Sequence, residues 1–285
     1  MIGSTISRQH SMHRRFDLRG FTLIELAVVL LILGALFAGI LIPMTTQVEL
    51  RRVADTQKTL SEIRDALIGF AAANGRLPCP ASGASNGQES FAAGGSASNG
   101  NCSNFVNGFV PAVALGIGPT DNAGYVLDAW NNRIRYAVTN TDRSAIGSAT
   151  PLNPNGNYDF TALGTLPAAN GEMRNVGMAA LAPDLRVCST APVGPGANCT
   201  AGTSLIDNAV SVIYSTGANA SRSDPGAARI DENANPNPNA VDNNRSFVSH
   251  ERAGENNPNG EFDDIVIWLS PNILYARMIA AGRLP

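Results

Sequence analysis

A run of apolar residues near the N-terminus constrains this chain more than any other feature. Residues 26–42, seventeen in all, carry no charged or strongly polar side chain. As a helix the run measures about 25 Å, close to the shortest length that crosses the hydrocarbon core of a bilayer. Residues 1–20 are basic, with four arginines against one aspartate. This flank predicts a cytoplasmic N-terminus and a single membrane-spanning helix, with the rest of the chain on the other side.

Three other interpretations explain part of this pattern. A secretory signal peptide needs a small-residue cleavage site after the run, and residues 36–38 match such a site poorly. A plain uncleaved anchor leaves Glu25 unexplained, because a carboxylate inside a membrane helix costs roughly 2–4 kcal/mol. A buried core helix does not account for the basic flank.

A more specific pattern surrounds the start of the run. The basic leader ends at Gly20, Phe21 follows, and Glu25 lies four residues beyond Phe21. Together with the apolar run, this stretch resembles the N-terminal sequence of type IV prepilins and type II secretion pseudopilins. The resemblance implies that a prepilin peptidase cuts between Gly20 and Phe21 and methylates the new Phe21 amine. The mature chain would then have 265 residues.

Three features of this segment bear on assembly. The new Phe21 amine would begin a helix, where the helix dipole disfavours positive charge. In parallel helices offset along a filament axis, Glu25 of one subunit would meet the Phe21 amine of the next and set their register. Gly34 and Ala38 form a pair of small residues that permits close helix packing. Pro43 would bend or locally melt the helix.

Beyond the apolar run, the pattern predicts that the helix continues. Apolar residues recur at helical spacing over 53–70, and Asn74-Gly75 supplies a left-handed stop. Residues 21–73 are therefore predicted as one long helix, with 21–42 as membrane span and filament core.

Residues 74–285 are predicted as a periplasmic globular domain. Strands are expected at 109–115, 133–139, 209–214 and 264–269, and a C-terminal helix at 272–281. Two polar segments, 81–104 and 231–260, are interpreted as a loop and a surface insertion. The predicted fold class is α+β, the pilin-like lollipop. In it, the long N-terminal helix packs on a small antiparallel β-sheet domain with long loops and a short C-terminal helix.

The four cysteines predict disulfides in an oxidising compartment. Four cysteines allow three pairings, and the sequence alone does not decide between them. We favour the two local pairs, Cys79–Cys102 and Cys188–Cys199, because each closes a loop that a small sheet cannot hold.

Two segments resemble the calcium loop of major pseudopilins. Residues 214–219 resemble its first part, with Asn219 where aspartate is usual, and Asp263 and Asp264 resemble its second part. Because oxygen ligands suit calcium, the pattern predicts either a calcium site or a hydrogen-bonded turn that leads into the last strand. Further carboxylates are supplied by Asp231 and Glu232. No other cofactor is expected.

Two other features favour structural roles. Residues 128–136 resemble a segment of major pseudopilins, with Asn131 and Arg133 in place of Gly and Pro. We interpret them as a turn into a strand, with Trp130 in the core. His250, the one histidine of the mature chain, is predicted as a solvated loop residue.

The function predicted from these patterns is that of a non-enzymatic structural subunit. No phosphate-binding loop or convincing pair of catalytic carboxylates is found, and a net charge of −3 argues against a nucleic-acid grip. The length and the polar segments favour a minor pilin or minor pseudopilin, in a type IV pilus or a type II secretion pseudopilus. Its partners would be other such subunits, the prepilin peptidase, an inner-membrane assembly platform and the lipid bilayer.

Two alternatives remain open. A filament-displayed adhesin or DNA-uptake subunit would bind its ligand through 81–104 and 231–260. An enzyme anchored by a pilin-type helix would need catalytic groups that the sequence does not offer. The expected location is the bacterial inner membrane, spanned once, with the globular domain in the periplasm.

Overall fold

The computed structural model of the protein describes residues 22–140, 159–163, 172–179, 181–193, 198–220, 229–235 and 245–284. For positions 36–45 and 172, within helices, it describes the backbone alone. The chain divides into two compact units, Met1–Leu50 and Arg51–Pro285. Gly20 and Phe21 lie outside the described residues, so the cleavage predicted between them stays a prediction.

Helix α1 spans Leu23–Asn74. It begins with a reciprocal capping box, in which the Thr22 hydroxyl accepts from the Glu25 N–H at 3.3 Å and Glu25 Oε2 accepts from the Thr22 N–H at 2.9 Å. The helix ends at Asn74 because Gly75 adopts a left-handed conformation, with φ at 76°. The Asn74-Gly75 stop therefore acts as its sequence predicts.

The prediction that the first half of the long helix is embedded in a membrane is wrong. In the part of the chain that the structure describes, no helix contains a stretch both long and apolar enough to cross a bilayer. The apolar part of α1 whose side chains are described, residues 23–35, has 13 residues. It measures about 20 Å, against about 30 Å of hydrocarbon. This finding contradicts the predicted single-pass inner-membrane location and the transmembrane part of the prepilin assignment.

The described residues of the second unit contain seven strands, which form two sheets rather than the single small sheet that the lollipop fold requires. The first sheet has the order β1-β2-β5-β7 and is antiparallel throughout. Its strands are β1 (Gly108–Phe109), β2 (Arg135–Val138), β5 (Ser211–Ser215) and β7 (Ile265–Leu269).

The second sheet has the order β4-β3-β6 and is mixed, because β3 pairs antiparallel with β4 and parallel with β6. Its strands are β3 (Leu185–Cys188), β4 (Ser204–Ala209) and β6 (Ser246–Val248). The described helices besides α1 are α2 (Ala112–Leu115), α3 (Glu172–Val176), α4 (Ile230–Ala234) and α5 (Pro271–Ala280). The predicted fold class is therefore corrected to an α+β unit with two sheets.

The first sheet buries both of its faces, because alternate residues of a strand point to opposite sides. One face packs with the second part of α1 and with α5; its cluster includes Leu67, Tyr136, Ile213 and Met278. The other face packs with the second sheet; that cluster includes Ala137, Val212, Val187 and Phe247. The first sheet is thus the middle layer of this unit.

Two predicted segments differ from the structure. The predicted strand over 109–115 becomes a short strand followed by α2, because Pro111 removes a backbone donor at that point. The segment 231–260, predicted as a surface insertion, contributes α4 residues and the fully buried strand β6. Its apolar residues are few, but Phe247 and Val248 both enter the core.

Candidate cation site

The candidate site lies where β5 ends and β7 begins. Antiparallel pairing sets Ser215 opposite Ile265, so the loop that follows β5 lies beside the two aspartates that precede β7. Asp263 Oδ2 accepts hydrogen bonds from the backbone N–H groups of Ala218 at 2.8 Å and Asn219 at 3.2 Å. The two segments that resemble a calcium loop, residues 214–219 and Asp263-Asp264, therefore lie next to each other in the fold.

Gly217 makes this close approach possible. Its φ is 64°, and a Cβ at this position would lie 2.7 Å from the backbone carbonyl oxygen of Asp263 and also against the Asp263 carboxylate. Any larger residue would force the loop away from Asp263 and would strain the backbone. Glycine at this position is therefore a requirement of the site.

Three carboxylates converge here. Glu232, Asp263 and Asp264 each offer one oxygen, and these oxygens lie within 4.8 Å of one another. Asp264 Oδ2 accepts from Asn235 Nδ2 at 2.8 Å. The other oxygen of each aspartate, Oδ1, is buried without a hydrogen-bond partner, as is Glu232 Oε2. Unsatisfied buried oxygens of this kind favour a ligand that supplies positive charge.

Burial dominates the electrostatics of the cluster. Burial, followed by the charge of Asp263, raises the pKa of Glu232 to about 7. Burial also raises the pKa of Asp263, and it raises the pKa of Asp264 well above its ordinary value. Two arginines offset part of the negative charge: Arg229 lies 3.5 Å from Glu232 Oε1, and Arg252 lies 3.9 Å from Asp263 Oδ2. Neither contact reaches the unpartnered Oδ1 atoms.

Asn219 points to the same place from a different part of the chain. It is 8% exposed, and its amide lies beside Glu232 and partly offsets the raised pKa of that group. Its Nδ2 makes no regular hydrogen bond. The three carboxylates form an oxygen-only donor set, which fits calcium. The residues present therefore fit the group that the resemblance implies.

Asp231 does not join the cluster, although it precedes Glu232. Its Oδ1 accepts from Thr190 Oγ1 at 2.8 Å and from the Ala191 N–H at 2.6 Å, and Asn259 Nδ2 donates to its Oδ2 at 2.8 Å. Adjacent residues of a helix point about 100° apart, so only one of these two acids can face Asp264.

His250 is less solvated than its sequence context predicts. Its ring stacks on Phe262 with centroids 3.9 Å apart, and Nε2 lies 3.3 Å from Asp231 Oδ2. Its Nδ1 lies 2.6 Å from the carbonyl oxygen of Glu251. The ring therefore packs against the segment that carries the acidic cluster without joining it.

The turn around Trp130 supports the site from a third segment. Asp128 Oδ2 accepts from Ser215 Oγ at 2.6 Å, and Asn132 Nδ2 donates to the carbonyl oxygen of Gly217 at 2.6 Å. Asn131 adopts a φ of 68°, a left-handed conformation that asparagine tolerates better than most residues. Trp130 packs against the core, so the structural interpretation of this segment is confirmed.

Both predicted disulfides are confirmed, Cys79–Cys102 and Cys188–Cys199. The second one closes the loop that follows β3, and Thr190 and Ala191 of this loop hold Asp231. The disulfide thus lies in the same part of the domain as the acidic cluster.

The assembly residues are placed as follows. Glu25 is exposed and binds Thr22 in its own chain, through the backbone N–H and the hydroxyl, each at 2.9 Å. Gly34 has open space around it, since an added Cβ would meet no atom within 4 Å. Ala38 and Pro43 lie in the part of α1 whose side chains are outside the described set.

No family profile, no curated protein and no solved structure matches this chain.

Proposed function

We propose that this chain is a subunit of a filament of the type IV pilin and pseudopilin class, with the length of a minor subunit. The observation that carries the proposal is the exposure of the first turns of α1. Large apolar side chains there are 43–88% exposed, and they are Leu23, Ile24, Leu26, Val28, Val29, Leu30, Leu31, Ile32 and Leu33.

These residues surround the helix rather than form a stripe. A helix that is apolar on all sides is stable in a biological setting only when it is covered on all sides. Each fully buried leucine or isoleucine contributes about 1.5–3 kcal/mol relative to an exposed one. Parallel packing with the same segment of other copies covers every side, and the open surface at Gly34 permits close approach there.

Substitution of an exposed leucine tests this proposal. Leu30→Asp places a charge among the exposed apolar residues, and we expect it to abolish incorporation into filaments. Leu205→Asp on β4 is the matched control, because Leu205 is also exposed but lies outside α1. Equal incorporation of both variants, measured in sheared filament fractions, would contradict the proposal.

The processing step is a separate part of this proposal. The resemblance implies a mature chain that begins at Phe21 with a methylated amine. Mass spectrometry of the N-terminal peptide, with and without a prepilin peptidase, checks this. The filament-displayed binder and the non-enzymatic nature of the chain stay predictions.

We also propose that the acidic cluster binds one calcium ion through Asp263 and Asp264. Their buried, unpartnered Oδ1 atoms carry this second proposal. The ion would supply positive charge between the loop after β5 and the residues before β7. Asp263→Asn should abolish calcium binding to the full chain in isothermal titration calorimetry, and absence of binding to the wild-type protein would remove the proposal.

A further inference from the structure

The segment 231–260 lies outside both stretches that resemble a calcium loop, yet it reaches the acidic cluster. It contributes most of α4 and the strand β6. Glu232 from α4 is the third carboxylate beside Asp263 and Asp264. The role of this segment in the site is therefore independent of the resemblance.

Asn235, directly after α4, fixes the orientation of Asp264. It is 2% exposed. Its Nδ2 donates to Asp264 Oδ2 at 2.8 Å and to the Val248 carbonyl oxygen at 3.0 Å, and its Oδ1 accepts from the Val248 N–H at 2.8 Å. Because both donors are used, the amide cannot rotate without losing buried hydrogen bonds. Asp264 is thereby held with one oxygen bound and Oδ1 left without a partner.

The start of α4 is also fixed by hydrogen bonds. Asp231 is buried, and it accepts three hydrogen bonds from Thr190, Ala191 and Asn259. With Asp231 fixed at the start of α4 and Asn235 fixed after its end, Glu232 between them has a defined position. A short helix held at both ends presents its carboxylate without the ordering entropy that a free loop would lose on binding.

We propose that the segment 231–260 completes the cation site: Glu232 is a third carboxylate ligand, and Asn235 is a positioning residue that orients Asp264. The inference rests on the proposed calcium site. It assigns the segment a purpose, since the ion would join α4 to the start of β7.

An ion-pair network without a metal is the competing explanation. Arg229 and Arg252 would then neutralise the acids by themselves. The contact of Arg252 with Asp263 is long, at 3.9 Å, and its side chain is partly exposed. Arg229 contacts Glu232 within the same short segment. Neither arginine satisfies the Oδ1 atoms of the two aspartates, and this is why a cation explains the cluster better.

The test is the calcium affinity of the full chain, measured by isothermal titration calorimetry with CaCl₂. Glu232→Gln and Asn235→Ala should each weaken binding by about tenfold or more, as expected for a ligand and its supporting group. Glu62→Gln on α1 makes the same chemical change on an exposed side chain that is not part of the cluster, and this variant should bind calcium as the wild type does.

A second control separates positioning from stability. Leu67→Ala removes a fully buried core residue and destabilises the protein without contact to the cluster. A purely structural role of Asn235 predicts that Leu67→Ala and Asn235→Ala change the calcium affinity alike; a positioning role predicts a loss only for Asn235→Ala. If Asn235→Ala does not fold, Glu232→Gln still tests the segment.

The outcomes are distinguishable. No calcium binding by the wild-type protein overturns the cation site and this inference together, and leaves the filament proposal untouched. Wild-type binding with unchanged affinity in Glu232→Gln and Asn235→Ala overturns this inference alone. Weakened binding in Glu232→Gln only overturns the positioning role of Asn235.

Discussion

The two parts of helix α1 differ in how their apolar side chains are distributed, although they belong to one element. In residues 23–33 apolar side chains occupy every side of the helix and are exposed. In the later part they occupy one stripe, which includes Leu60, Ile63 and Leu67 and is fully buried in the core. Charged residues such as Lys58 and Glu62 lie on the opposite side.

This difference separates apolar surface that the chain buries itself from apolar surface that stays exposed. The later stripe is satisfied within the chain, so its contacts stabilise the fold of its own unit. The earlier residues have no such cover among the described side chains, so their apolar surface contributes only when something outside the chain buries it. The sequence pattern alone distinguishes the two parts, because apolar residues lie on all sides of the first part and form one stripe along the second.

The largest expected effect tests this division directly. Leu67→Ala should lower the free energy of unfolding by about 2–5 kcal/mol, because it leaves a cavity in the core. Leu30→Ala, at a side chain that is 60% exposed, should change it by about 0.5 kcal/mol or less. Urea titration of the unassembled protein measures both. A similar loss in the two variants would break the comparison.

A smaller effect is expected where the later part ends. Arg283 donates from Nε to the Ala72 carbonyl oxygen at 3.0 Å and from Nη2 to that of Ala73. These carbonyls belong to the last turn of α1 and have no partner within the helix. Arg283→Ala should cost about 1–2 kcal/mol of unfolding free energy.

Arg51→Ala is the matched control for that experiment, because Arg51 is an exposed residue of the same helix. It should stay within about 0.5 kcal/mol of the wild-type value. If both arginine variants unfold at the wild-type urea concentration, the end of α1 does not depend on Arg283.

The smallest effect concerns the beginning of α1. The backbone N–H and the hydroxyl of Thr22 donate to the Glu25 carboxylate and lower its pKa. The capping contribution is therefore complete at neutral pH and is lost as the pH falls below the ordinary pKa of glutamate and through the lowered one. The amide NMR shift of Thr22 should follow this titration, and a shift that is independent of pH would show that the cap is not formed.

Much of the first sheet could be predicted from alternating apolar residues. The expected strands at 133–139, 209–214 and 264–269 correspond to β2, β5 and β7. The second sheet could not be predicted, because β3 and β6 are short and β6 lies in an asparagine-rich stretch whose composition indicates a loop. Its pairing with β3 depends on contacts distant in sequence, which local periodicity does not report.

The candidate site could also be predicted only in part, because it too depends on contacts between residues that are distant in sequence. Asp263 and Asp264 could be predicted because they resemble the second part of the calcium loop of major pseudopilins. Glu232 was one of several nearby acids, and only the fold shows that it faces the cluster while Asp231 faces Thr190. The sequence does not single out Asn235, since it is one of nine asparagines in residues 231–260.

Incorporation of Glu25 variants into filaments tests the central claim most directly. Among the residues that the structure describes, Glu25 caps the helix with Thr22. If it also pairs with the Phe21 amine of a neighbouring copy, Glu25→Ala should be lost from sheared filaments, while Thr22→Val, which removes the hydrogen bonds of the Thr22 hydroxyl and keeps the Glu25 carboxylate, should still assemble. Equal incorporation of Glu25→Ala and the wild-type chain would contradict the claim that this part of α1 is an assembly segment.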